Sequence, residues 1–255
     1  MRFPVKGDVT LEDVHFNYPN RPDVPVLRGV NCVVKHGECV AVVGASGCGK
    51  STIGSLLQRL YEPAAGRITI GGLNIADADV AWLRDHVAIV SQHPMLFDTS
   101  IAENITYGSE PGRFTREDIE RAAQAANLDD FIQTLPNGYE TTIGEKAALL
   151  SGGQAQRLQI ARALVNGRAQ VMVFDECTSA LDPATQAAVL NTIMSVKEGR
   201  TTLLITHKVP VMQMCDRILV VDGGRIVEEG TFDELIQKRG TFQQLASAGE
   251  WASLD

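Results

Sequence analysis

One junction constrains this chain more than any other. Cys39-Val-Ala-Val-Val43 is a short apolar, largely β-branched run, the pattern of a strand buried on both faces. It runs directly into Gly44-Ala45-Ser46-Gly47-Cys48-Gly49-Lys50-Ser51-Thr52. Beyond the glycines, Ile53, Leu56, Leu57 and Leu60 recur at helical spacing and predict an amphipathic helix. Strand, glycine loop and helix form the setting in which G-x-x-x-x-G-K-[ST] cradles phosphates. The glycines let backbone N–H groups turn inward onto phosphate oxygens. Lys50 brings a mobile positive charge, and the Ser51 hydroxyl can sit on Mg2+. Cys48 suits the loop by its small size, and a thiol beside backbone donors and Lys50 is expected to have a lowered pKa. Bound nucleotide is expected to protect it from alkylation.

The same grammar recurs downstream. Val171-Met-Val-Phe174 ends in Asp175-Glu176, Thr201-Thr-Leu-Leu-Ile-Thr206 ends in His207, and Ile218-Leu-Val-Val221 ends in Asp222. Helical patterns fill 183–197 and 208–216 between them. Strands alternating with helices predict an α/β fold with a mostly parallel sheet and ligands at the carboxyl ends of its strands. A carboxylate at Asp175 can hold Mg2+ through water. Its neighbour Glu176 can polarise an attacking water as general base. Near the N-terminus, Val9 to Tyr18 alternates loosely and reads as a strand with a slip, broken at Pro19-Asn-Arg-Pro-Asp23. The stretch 92–164 is different: rich in Ala, Gln and Glu, helical at Arg116–Asn127 and Ser151–Leu164, it reads as an insertion into a core of 8–91 and 165–255.

Composition narrows the class. The chain has 255 residues, 44% hydrophobic and 21% charged, enough for a real core and too apolar for disorder. The net charge of −8 argues against nucleic acid as a partner, because phosphate backbones want a basic face. The longest apolar run has five residues, far below the roughly 18 needed to cross a bilayer. Five cysteines without paired spacing suit a reducing compartment, and the histidines show no metal spacing, so no metal beyond Mg2+ is expected. The expectation from composition alone is a soluble, cytosolic chain.

Leu150-Ser151-Gly152-Gly153-Gln154 is a second candidate anion site. Ser151 and Gln154 form a capping box, and two glycines at a helix start leave N–H groups open where the helix dipole is positive. These five residues resemble the signature of ATP-binding cassette (ABC) proteins, and the resemblance extends over nearly the whole chain. Tyr18 resembles the family's adenine-stacking aromatic, and Gln92 the glutamine that links the Mg2+ site to the transmembrane partner. Ser179-Ala-Leu-Asp182 looks like the loop through which paired cassettes communicate, and His207 like the histidine that contacts the γ-phosphate.

The segments 18–27 and 90–105, with Thr142-Ile-Gly-Glu145, are similar to exporter cassettes of the P-glycoprotein and peptide-transporter kind. Two departures stand out: Ala147-Ala-Leu149 replaces the usual Gly- and Gln-containing lead-in to the signature, and Lys208 follows the histidine where arginine is commoner. The resemblance implies a RecA-like P-loop NTPase core with an N-terminal antiparallel β subdomain and an inserted helical subdomain. It implies ATP and Mg2+, with Ser51, Gln92 and Asp175 on the metal and Glu176 as base. Lys50, Gln92 and His207 would act on the γ-phosphate.

It further implies two cassettes packed head to tail, each phosphate loop facing the other's Ser151 and Gly153, with Asp182 coupling the sites. Two other expectations follow: ATP hydrolysis at the cytosolic face of a membrane, and transmembrane domains of an exporter as partner. The chain would then be a soluble piece of, or companion to, a larger transporter. An importer-type cassette or a soluble non-transport ABC ATPase are the alternatives.

Overall fold

The computed structural model describes residues 7–144 and 148–247, which divide into two compact units. Glu145 and Ala147, in the exporter-like stretch and the signature lead-in, lie outside the described residues.

The first unit comprises residues up to 89, 170–176 and those from 199 on. It contains two sheets. β1 (Val9–Asn17), β2 (Pro25–Val34), β4 (Ala65–Ile70) and β5 (Leu73–Asn74) form an antiparallel sheet in the order β2-β1-β4-β5. β3 (Cys39–Val43), β6 (Val87–Val90), β7 (Val171–Asp175), β8 (Thr201–Ile205), β9 (Arg217–Asp222) and β10 (Arg225–Gly230) form the second, ordered β10-β9-β3-β8-β7-β6. There β3 runs parallel to β8 and β9, β7 runs parallel to β8, and β10 turns back antiparallel on β9. The slip read in β1 is real: its register shifts between Leu11 and Val14, where Asp13 takes φ +46°.

All five residues of β3 are buried, for a reason visible in its neighbours. Val40 and Val42 face a core shared with Leu11, Phe16 and Leu27 of the antiparallel sheet and with Ile53, Leu56 and Leu57. Ala41 and Val43 face the opposite core, with Met212, Leu235 and Phe242. A strand packed on both faces needs no polar alternation, which is why β3 reads as an unbroken apolar run and β7 and β8 show no hydrophobic–polar alternation. The helices of this unit are α1 (Lys50–Leu57), α2 (Val80–His86), α8 (Val209–Gln213), α9 (Phe232–Gln237) and α10 (Thr241–Ser247). The 208–216 pattern yields only the short α8, with Pro210 in its first turn.

The second unit comprises residues 90–169 and 177–198 and is helical: α3 (Ile101–Thr106), α4 (Arg116–Ala125), α5 (Asp129–Gln133), α6 (Gly152–Leu164) and α7 (Pro183–Val196). Residues 165–169 and 177–198, assigned to the core from sequence, group with the helices here. Capping boxes open α3 (Ser100, Glu103), α4 (Thr115, Asp118) and α6 (Ser151, Gln154). Thr142 bridges to Ser100 and the Ile143 N–H donates to the Thr99 carbonyl, tying the exporter-like stretch to the start of α3.

Candidate active site

In the first unit, β3 delivers the glycine loop to the carboxyl edge of the parallel sheet. Gly44 has φ +148°, and a Cβ there would lie 2.1 Å from the Val221 carbonyl oxygen, so no other residue fits. Gly49 caps α1 with φ +105° and no side-chain hydrogen bond, leaving the first-turn N–H groups uncapped. Lys50, 8% exposed, donates from Nζ to the carbonyls of Gly44 at 2.8 Å and Ala45 at 2.9 Å. Ser46 and Gly47, at the loop's crest, are exposed. Uncapped donors, a buried ammonium and glycines at positions 44, 47 and 49 of the loop fit a polyphosphate.

The Ser51 hydroxyl hydrogen-bonds the Asp175 carboxylate at the end of β7. Burial pushes the Asp175 carboxyl up from its ordinary value, and the neighbouring charge of Glu176 adds to this; Ser51 and the charge of Lys50 oppose it. A hydroxyl beside a carboxylate that is half stripped of water fits a hard divalent cation.

Glu176 takes φ +46°, a conformation that costs a side-chain-bearing residue of order 1–3 kcal/mol. Its N–H donates to the Ile205 carbonyl at 2.9 Å, anchoring it to the end of β8. Two residues beyond that strand end, His207 brings Nδ1 to 3.7 Å from Glu176 Oε2. Both side chains are about one-third open to solvent (34% and 28% exposed for His207 and Glu176), so water reaches them.

Tyr18 stands just past β1. Its hydroxyl hydrogen-bonds Thr52 Oγ1 at 3.0 Å, and its ring is edge-to-face with Phe16 at 4.9 Å and Tyr61 at 5.3 Å. Thr52 is thus buried between loop and aromatic cluster. Phe16 and Tyr61 were not singled out in the sequence; Tyr61 follows α1 closely, an aromatic placed where the phosphate-loop helix ends.

Cys48 requires a correction. Burial raises its thiol above the usual value, because desolvation outweighs the charge of Lys50, whose ammonium is spent on carbonyl oxygens 44 and 45. The Lys50 Nζ to Cys48 Sγ distance is 3.9 Å. A lowered pKa does not hold.

In the second unit, Ser151 and Gln154 exchange hydrogen bonds as the capping box requires, at 3.3 and 2.8 Å, and Ser151 and Gly152 are exposed. Gly153 is buried against α7, where a Cβ would lie 2.2 Å from Thr185 Cγ2. Asp182 accepts from the Thr185 N–H at 3.1 Å and caps α7, with Pro183 in the first turn. That local task explains an aspartate there by itself. Gln92 donates from Nε2 to Ser179 Oγ at 2.9 Å. Gln156 and Gln159, both buried on α6, also reach the Gln92 loop; two glutamines at i, i+3 on one helix face are the sequence signal for this contact.

The ABC transporter family model matches residues 27–179. Multidrug resistance protein pgp-1 of Caenorhabditis elegans is 46% identical over 96% of this chain and 18% of its own length. ABC transporter B family member 28 of Arabidopsis thaliana is 46% identical over 94% of the chain and 33% of its own. Human ATP-binding cassette sub-family B member 5 is 44% identical over 95% and 19%. A solved bacterial Atm1-family ABC exporter with ATP bound superposes with a TM-score of 0.87 at 39% identity, covering 97% of this chain and 43% of that one. The chain therefore spans a third or less of the curated relatives it matches. No helix among the described residues is long and apolar enough to cross a membrane. With the match running from β2 to the loop before α7, and with relatives at this identity across almost all its length, the chain belongs to the ABC transporter family, beside the cassettes of B-type exporters.

Proposed function

We propose that the chain is an ATP-hydrolysing cassette that closes head to tail on a second cassette and drives export through associated transmembrane domains at the cytosolic face of a membrane. The reading rests on the phosphate cradle at Gly44–Ser51 and on relatives that are named as multidrug or B-family transporters and of whose length this chain covers 18–33%. The observation that carries hydrolysis, beyond binding, is Glu176: a carboxylate held in a left-handed backbone, within 3.7 Å of His207 and open to water.

In this reading the N–H groups of the loop and the Lys50 ammonium hold the polyphosphate of ATP. Tyr18 supplies a stacking face worth about 1–3 kcal/mol, with little preference between adenine and guanine. Mg2+ would supply charge neutralisation at the phosphates; Ser51, Asp175 and Gln92 would hold it. Glu176 accepts the proton of the attacking water, and His207 orients the terminal phosphate. Ser151 and Gly153 act on the nucleotide of the opposite cassette, and Asp182 couples the two sites. Positioning and charge stabilisation supply the rate, as in phosphoryl transfer generally.

The test is size-exclusion of the Glu176→Gln chain with and without Mg-ATP. A nucleotide-dependent shift to twice the mass supports closure of two identical cassettes with Glu176 as base. Bound nucleotide without a shift overturns closure on an identical copy, and a candidate second cassette is then added.

A further inference from the structure

Gln92 is held at both ends by residues of its own helical unit. Its side-chain Nε2 donates to Ser179 Oγ at 2.9 Å. Its backbone carbonyl accepts from Gln156 Nε2 at 2.7 Å, and the preceding carbonyl, of Ser91, lies 3.4 Å from the same nitrogen. Ser91 Oγ accepts from Gln159 Nε2 at 2.9 Å and donates to the His93 carbonyl at 3.0 Å. Gln156 and Gln159 are 3% and 8% exposed, and the Oε1 atom of each is buried without a hydrogen-bond partner. A helix that needed only packing would place leucines there. Two half-satisfied amides aimed at one loop are a cost that a polar network repays by fixing a geometry.

We propose that Ser179 is a positioning residue for Gln92, setting which end of its amide meets a divalent cation, with Gln156 and Gln159 fixing the backbone that carries it. A cation is bound through the carbonyl oxygen, never the amide nitrogen. With Nε2 bonded to the Ser179 hydroxyl, the nitrogen is turned away and Oε1 is the atom left to meet a cation; once Oε1 is so engaged, the hydroxyl serves as acceptor from Nε2. Ser179 stands three residues before Asp182, and Gln156 five residues beyond Ser151, so the loop bearing Gln92 is tied to both segments implicated in pairing. This inference rests on the reading of Gln92 as an Mg2+ ligand.

The test is the affinity of the whole chain for a fluorescent ATP analogue, measured in Mg2+ and again in EDTA; the ratio isolates the cation's contribution. Ser179→Ala should lower that ratio about five-fold, the scale of one neutral hydrogen bond, and leave affinity in EDTA unchanged. Ser179→Thr, which keeps the hydroxyl, should restore it. In a Gln92→Ala background, Ser179→Ala should have no further effect, since two changes in one chain of contacts do not add. If melting shows that Ser179→Ala does not fold, Ser179→Cys keeps the volume and takes its place. A wild-type ratio in the Ser179 variant, a raised ratio, or additive losses with Gln92→Ala would each overturn the inference alone. A wild-type chain that binds no nucleotide, or binds it equally in Mg2+ and EDTA, would remove the reading of the site and this inference with it.

Discussion

Glu176 and His207 face each other at 3.7 Å because β7 and β8 are parallel neighbours ending at the same edge of the sheet. The Glu176 N–H bond to the Ile205 carbonyl continues that ladder by one residue and forces the left-handed turn that swings the carboxylate toward His207. Backbone strain here is therefore tied to the placement of the carboxylate proposed as general base.

That strain predicts a separation of stability from activity. Glu176→Gly removes the penalty at φ +46° and should stabilise the chain by about 1 kcal/mol, raising Tm by about 2–4 °C for a protein of this size. Turnover should fall by at least about 100-fold, because the proposed general base is gone. Calorimetry with an ATPase assay checks both, and a lower Tm would contradict the assignment of strain.

The Cys48 thiol gives a pH prediction. Its pKa lies above the ordinary thiol value, so the thiolate is scarce at neutral pH and the alkylation rate should still be climbing at about pH 9. Cys32, pushed up to about 11 by burial, should react more slowly still. Mg-ATP should slow Cys48 alone, since only Cys48 lies in the phosphate loop. Peptide-resolved mass spectrometry against a pH series reads all three; a plateau of Cys48 labelling below pH 8 would sink the account.

How much of this was legible in the sequence follows from burial. β3, β7 and β8 are enclosed on both faces and announce themselves as apolar runs, and α4 and α6 announce their starts through capping boxes. β2 buries only Leu27, Val30 and Val34, off the two-residue period of a strand, and β10 buries no residue, so short-range reading passes over both. The approach of Glu176 to His207 was beyond reach, because it depends on β8 lying between β3 and β7, a long-range pairing that no local spacing encodes. Cys48 was misread for a related reason: sequence shows the neighbouring lysine but not the desolvation that outweighs it.

Glu38 and Arg217 set the acid limit. Arg217 grips Glu38 with two hydrogen bonds of 2.7 and 3.0 Å, and the Lys35 N–H adds a third at 2.7 Å. Burial alone would raise the Glu38 carboxyl; the Arg217 and Lys35 hydrogen bonds outweigh it and hold the pKa below the ordinary value. A carboxyl lowered on folding contributes stability that is complete above the unfolded pKa and is lost as pH falls through the folded one. Tm should therefore drop between about pH 4.5 and 3 in the wild type. Glu38→Gln should begin lower, by about 2 kcal/mol at pH 7, and lose less over that window.

Arg162 offers the sharpest test of the helical unit. From α6 it donates to the Asn104 carbonyl and the Met95 carbonyl, each at 2.7 Å, and to Asn104 Oδ1 at 3.2 Å. Its guanidinium also lies over Phe97 and Tyr107, whose rings stack at 3.8 Å. Burial lowers its pKa, yet guanidinium stays charged at any pH of interest, so carbonyl oxygens and aromatic faces carry the compensation. Three donors in one plane are a demand only arginine meets. Arg162→Lys keeps the charge, loses the fork and leaves acceptors unmatched, so it should cost about 2 kcal/mol, close to the cost of Arg162→Met. If charge alone mattered, lysine would behave like the wild type. Denaturant unfolding of the three chains, with amide exchange followed at Phe97 and Asn104, decides between geometry and charge: loosening of both segments in the lysine variant is the expected result.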